Sequence, residues 1–184
     1  MYGVVGYYDP GKTLPKDTLA SMMGALNPSI SDFEVVKHSE AYSIAIESYE
    51  SICTPEPNIF CIGDPLIEKS NPISRLDVGR AAKIRGDFLI FDLTSTNKLR
   101  IVSDHLGSYP LFVARVGTAF IFSTQQKSIL KVLPVPARIN LDSVATMLSV
   151  GELVGDRTLF EEISVIPMAS IMDFSENGVV TSPY

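Results

Sequence analysis

Three times between residues 88 and 181, two short apolar runs flank a few turn-forming residues. Phe88 to Leu93 and Leu99 to Ser103 enclose Ser95-Thr96-Asn97. Pro110 to Arg115 and Ala119 to Ser123 enclose Val116-Gly117-Thr118. Ile171 to Phe174 and Val179 to Thr181 enclose Asn177-Gly178. Each unit reads as a β-hairpin, because Gly and Asn supply the backbone angles of a tight reversal between runs of β-forming residues. A chain with this second half must build antiparallel sheet.

The first half adds strands and one helix. Val4 to Tyr8 reads as a buried strand that ends at the Asp9-Pro10-Gly11 turn. Pro15 to Leu26 has Leu19, Met22, Met23 and Leu26 at helical spacing, and Asn27-Pro28 stops it. Strands are expected at Phe33 to Lys37, Tyr42 to Ser48 and Ile59 to Ile62. Asp64 to Arg85 has no clear period and reads as a loop with a short helix. Further helices are expected from near Thr124 to before Pro134, and from the N-cap Asn140. The latter has Leu141, Val144, Ala145 and Leu148 on one face and leaves through Gly151 and Gly155. Many antiparallel strands with few helices imply an α+β layered fold.

The 184 residues suit one domain. A net charge of -6 argues against a nucleic-acid surface. No apolar run approaches the roughly 20 residues of a membrane helix, and the N-terminus lacks the basic and apolar regions of a secretory signal, so a cytoplasmic location is expected. In that compartment Cys53 and Cys61 read as free structural thiols. His38 and His105 have no ligand-spaced carboxylate, so no metal site is expected.

Several stretches carry a resemblance. Met1-Tyr2-Gly3-Val4-Val5-Gly6 is similar to the Met-Cys-Gly-Ile-x-Gly that opens class II glutamine amidotransferase domains of the asparagine synthetase type. Arg85 to Asp92 resembles the family's Gly-x-Phe-Ala-Phe strand. Ser103 to Phe112 resembles its Arg-Asp-x-Leu-Gly-x-x-Pro-Leu-Tyr, Phe122 to Ile129 its Phe-Ala-Ser-Glu-x-Lys-Ala-Leu, and Thr158 to Ile163 its Thr-Leu-Phe-x-x-Ile. The resemblance implies a four-layer α-β-β-α sandwich with two mostly antiparallel sheets, the N-terminal-nucleophile hydrolase fold, formed by residues 1-184 as one domain. It also implies a partner: an asparagine synthetase-like ATP-binding domain, in the same or a separate chain, where ATP and Mg would bind. That domain's Ser-Gly-Gly-x-Asp-Ser loop does not occur in these residues. The chain therefore reads as an excised domain or a stand-alone partner, with homodimerisation open. Asp104-His105-Leu106-Gly107 reads as a structural corner, with Asp104 bonding backbone amides.

The pieces that carry chemistry depart from the pattern. Tyr2 stands where the nucleophilic cysteine is expected; a phenol with pKa near ~10 is a poor acyl acceptor. A bulky Tyr2 should also keep Met1 in place, removing the α-amino base. The family's oxyanion loop, Tyr-Asn-Gly-Glu, maps onto Cys61-Ile62-Gly63-Asp64, so Ile62 replaces the side-chain donor, a loss of about 100 to 1,000-fold in turnover. The family's substrate-binding arginine has no counterpart in Glu40 to Ile46, and Arg75-Leu76-Asp77 lies in the wrong order and reads as a surface pair. The degenerate pocket is thus assigned to Tyr2, Gly3, Ile62, Gly63 and Asp64, with no catalytic residue. The resemblance then implies an inactive, supporting domain, as in β-lactam synthetases and lasso-peptide cyclases. The alternatives are an active glutaminase supplying ammonia for asparagine synthesis, or a small-molecule-binding regulatory module. Tyr2 is expected to plug the pocket beside Gly63.

Overall fold

The structure, a computed structural model, describes residues 3-26, 33-47, 52-67 and 76-184. Among them, twelve strands form two six-stranded sheets in which every pairing is antiparallel. The first sheet contains β1 (Val4–Tyr8), β2 (Phe33–His38), β3 (Tyr42–Glu47), β8 (Phe112–Val116), β9 (Ala119–Ser123) and β10 (Ile163–Val165), in the order β10-β8-β9-β1-β3-β2. The second contains β4 (Ile52–Glu56), β5 (Ile59–Gly63), β6 (Phe88–Asp92), β7 (Leu99–Ser103), β11 (Ser170–Ser175) and β12 (Gly178–Pro183), in the order β12-β11-β7-β6-β5-β4.

Period-two alternation sorts the side chains into layers. Val4, Tyr42, Ile44, Ile46, Phe60, Ile62, Leu89, Phe91 and Phe122 point between the sheets and form the main core. Val5, Ala45 and Ile121 point outward beneath α1 (Thr18–Leu26) and α3 (Gln126–Val132). Ile59, Cys61, Phe88 and Ile90 point outward on the second sheet, covered by Leu76, Ala81 and Ile84 around the short α2 (Val78–Ala81). The four layers expected from the resemblance are present, with unequal helical layers. Two tyrosines tie the sheets together at one end. Tyr8 Oη donates to Asn97 O at 2.7 Å, and Tyr42 Oη to Ser95 O at 2.8 Å.

One expectation needs correction, and two features were not foreseen. β4 was not foreseen because Pro55 lies inside it; β4 is an edge strand, where the missing N–H of a proline is harmless. The cysteines are not free. Cys61 is disulfide-bonded, and Cys53, the only other cysteine, is its direct register partner across β4 and β5. Facing residues of an antiparallel pair lie at about 4.5 to 5.5 Å between Cα atoms, which is disulfide range.

The second feature not foreseen is the direction of α4 (Leu141–Val150). Its caps form as expected: Asn140 Oδ1 accepts from Ser143 N at 3.0 Å, and Gly151 closes the helix at φ 88°. Its apolar stripe faces solvent, however. Leu141 is 75% exposed and Leu148 83%, while Ser143 is fully buried. At 3.6 residues per turn, Ser143 lies opposite the stripe, so the helix seats its polar side on the domain.

Candidate functional site

The start of β1 fixes one side of the site. Val4 N donates to Thr124 Oγ1 at 3.0 Å, and Thr124 N donates back to Val4 O at 3.0 Å. Gly3, just before this clamp, is buried. Tyr2 lies outside the described residues. Two strands of the opposite sheet supply the other side. Ile62 is 1% exposed and points between the sheets, among carbon neighbours. It can present no donor there.

Gly63 follows at φ 93°. A β-carbon there would meet Asp87 O and would lie 2.6 Å from Cε2 of Tyr109, so only glycine fits. Asp64 N donates to Asp87 O at 2.8 Å. Because alternate residues of a strand point their N–H to opposite sides, this bond directs the Gly63 N–H away from β6. The Gly63 N–H thus points to the side of β5 that β4 borders, and the Ile62 side chain beside it is apolar. The Asp64 side chain is exposed.

Tyr109 is a site residue the sequence did not single out. Its half-buried ring packs on the inter-sheet core and against Gly63, the place foreseen for Tyr2. The available signal was position: Tyr109 fills a variable slot immediately before Pro110-Leu111. What holds it there is Asp104. This carboxylate is 1% exposed and accepts from Phe88 N (3.1 Å), Leu106 N (2.7 Å) and Ser108 N (3.0 Å). With Gly107 at φ 63°, it forms the foreseen structural corner, which carries the chain from β7 to Tyr109. His105 is exposed and stacks edge-on with Tyr184 at 5.2 Å. Burial and the nearby Asp104 push the Tyr184 phenol up to about 12. No cluster of metal-ligating side chains occurs among the described residues.

The sheet directions orient the stretch in which a substrate-binding arginine was sought. Ile46 faces Val4 and Tyr42 faces Tyr8. Gly63 faces Phe88 at the start of β6, whereas the Tyr8 and Tyr42 hydroxyls reach the turn beyond its other end. Gly63 and Val4 thus share one end of the sandwich, and Glu40 lies at the other, roughly 20 Å away along β3. The stretch Glu40 to Ile46, which holds no arginine, thus runs from the far end of the sandwich to the end that carries Gly63. Of Arg75-Leu76-Asp77, Arg75 lies outside the described residues. Leu76 is buried at 1% exposure rather than on the surface, and Asp77 caps α2 by accepting from Arg80 N at 2.8 Å.

The family model described as a glutamine amidotransferase domain matches residues 78–184, more than half of the chain. The chain belongs to the glutamine amidotransferase domain family. For this glutamine amidotransferase domain the matched span begins beyond Gly63, so it covers the scaffold and leaves out Tyr2, Ile62 and Gly63.

Solved structures agree on the fold. Glutamine phosphoribosylpyrophosphate amidotransferase from B. subtilis, complexed with ADP and GMP, is 9% identical with a TM-score of 0.53; the alignment covers 98% of this chain and 49% of that one. A structure described as the allosteric regulatory enzyme of purine biosynthesis is 10% identical with a TM-score of 0.54, covering 98% and 48%. The chain spans about half the length of these structures. No curated protein sequence matches it. Among the described residues no helix is long and apolar enough to cross a membrane.

Proposed function

We propose that this glutamine amidotransferase domain has lost glutamine hydrolysis and supports an asparagine synthetase-like, ATP-dependent amide-forming enzyme. The observation that carries this reading is Ile62: the position that should offer a side-chain donor to an oxyanion is buried in hydrocarbon. Tyr109 adds to it by filling space against Gly63. Tyr2 at the nucleophile position adds a second, independent loss. Two chemical losses beside an intact Asp104 corner fit a domain retained for its shape.

In this reading ATP and Mg bind to a synthetase-like domain, and the amine joined to the activated carboxylate comes from elsewhere than glutamine. The enzyme works in the cytoplasm; the bonded Cys61 pulls the other way, since disulfides persist mainly in oxidising compartments. Glutamine-dependent ammonia release by the chain decides the glutaminase question. Pyrophosphate release from ATP by the natural polypeptide tests the amide-forming part.

A further inference from the structure

Between α4 and residues 153–157 lies an open hollow of about 320 Å³, whose wall includes Ser143, Thr146, Leu153, Asp156 and Arg157. It shares no residue with the Gly63 end of the sandwich. Both sides are fixed. Asn140 caps α4, and its N–H donates to Leu159 O at 2.9 Å. Val165 N donates to Asp156 O at 2.9 Å, Arg157 pairs with Ser164 in a β-bridge, and Thr158 Oγ1 donates to Ile163 O at 2.7 Å. The hollow is therefore preformed, as small-molecule sites usually are.

Ser143 is fully buried, and its Oγ has no hydrogen-bond partner among the described residues. The other two hydroxyls of α4 close on the helix itself: Thr146 Oγ1 donates to Asp142 O at 2.8 Å, and Ser149 Oγ to Ala145 O at 2.7 Å. Ser143 lies in the first turn, where the residue four before it, Ile139, is outside the helix. A buried hydroxyl left unpaired is destabilising, so its partner comes from outside the chain. One water takes a share of about 30 Å³, roughly a tenth of the hollow, which leaves room for a larger molecule.

The hollow is also bordered by one charge of each sign, and neither is committed. The side chains of Asp156 and Arg157 take part in no ion pair or hydrogen bond among the described residues. The two residues are adjacent, with Cα atoms about 3.8 Å apart. A bare anion would meet Asp156, and a bare cation would meet Arg157. A molecule whose carboxylate and ammonium leave the same carbon offers each its opposite charge. We propose that this hollow binds a free α-amino acid. Arg157 takes the carboxylate with its guanidinium fork, and Asp156 accepts from the ammonium. Ser143 Oγ gains its missing partner from the bound molecule. Binding is independent of whether the Gly63 end hydrolyses glutamine.

The test titrates each common protein amino acid into the isotope-labelled protein, with propionate and ethylammonium as single-charge controls. Amide NMR shifts are read at Thr146, Gly155 and Gly63. At least one amino acid should shift Thr146 and Gly155 saturably, with a Kd of about 1 mM or below, and leave Gly63 in place. Arg157→Gln and Asp156→Asn should each weaken that binding about tenfold, and each control should bind at least about tenfold more weakly. Both positions are exposed, and the Tm of each variant shows that it folds. Ser143→Ala removes a hydroxyl with no partner in the chain, so Tm should hold while binding weakens. No saturable shift at Thr146 and Gly155 with any amino acid overturns the proposal and means that water alone fills the hollow. Binding unchanged by Arg157→Gln or by Ser143→Ala overturns it. Propionate binding as tightly as the amino acid overturns it in favour of a plain anion site, and shifts confined to Gly63 overturn it in favour of the other end of the sandwich.

Discussion

The Tyr109 ring and Gly63 share one space: Cε2 of Tyr109 lies 2.6 Å from where a β-carbon on Gly63 would sit. Gly63 serves here as the seat of an aromatic ring. Shortening the ring to Tyr109→Ala should open a cavity beside Gly63. For a half-buried aromatic the cost should be about 2 kcal/mol, below the ~3 to 5 kcal/mol of a fully buried one. Denaturant titration measures it.

Gly63→Ala should cost more than Gly151→Ala, although the two glycines have similar φ values of 93° and 88°. At Gly151 a β-carbon meets nothing within 4 Å, so only the backbone penalty of about 1 kcal/mol applies. At Gly63 the added methyl also strikes Asp87 O and Tyr109, and the loss should exceed about 2 kcal/mol. Equal costs at the two sites would contradict the packing described around Gly63.

Asp104→Asn should destabilise the protein by about 3 kcal/mol, because an amide nitrogen would replace an oxygen that accepts from buried N–H groups. His105→Ala should change stability little, since its contact with Tyr184 lies at the surface. The reverse ranking would mean that His105, not Asp104, organises the corner.

Tyr42 and Tyr184 both have phenols raised to about 12 by burial. The neutral forms are favoured in the folded state, so this stabilisation is complete below pH ~10 and is lost as pH climbs towards about 12. Ultraviolet titration should show a late-ionising fraction of the seven tyrosines that merges with the rest on unfolding. In the same spirit, a thiol assay on denatured, unreduced protein should find no free cysteine.

Much of this architecture was legible because hairpins are local: the turns at Gly117 and Gly178 announce themselves, and the strands on either side pair with each other. What was not legible depends on contacts between distant residues. The stripe of α4 could be read from its period, but period says nothing about which way a stripe faces. The edge position that makes Pro55 tolerable is a property of sheet order, and the disulfide at Cys61 followed from recognising β4. Tyr109 was invisible for a different reason: a side chain in a variable slot acquires a role only when a corner fixed by Asp104 aims it at Gly63.

The central claim is that the pocket end of this domain no longer hydrolyses glutamine. The most direct measurement is glutamine-dependent ammonia release by the unmodified chain, run beside Tyr2→Cys and the double variant Tyr2→Cys/Ile62→Asn. The account predicts background rates for the unmodified chain and for Tyr2→Cys, because a restored thiol still lacks the donor that Ile62 replaced. Clear glutamine-dependent ammonia release by the unmodified chain would contradict it.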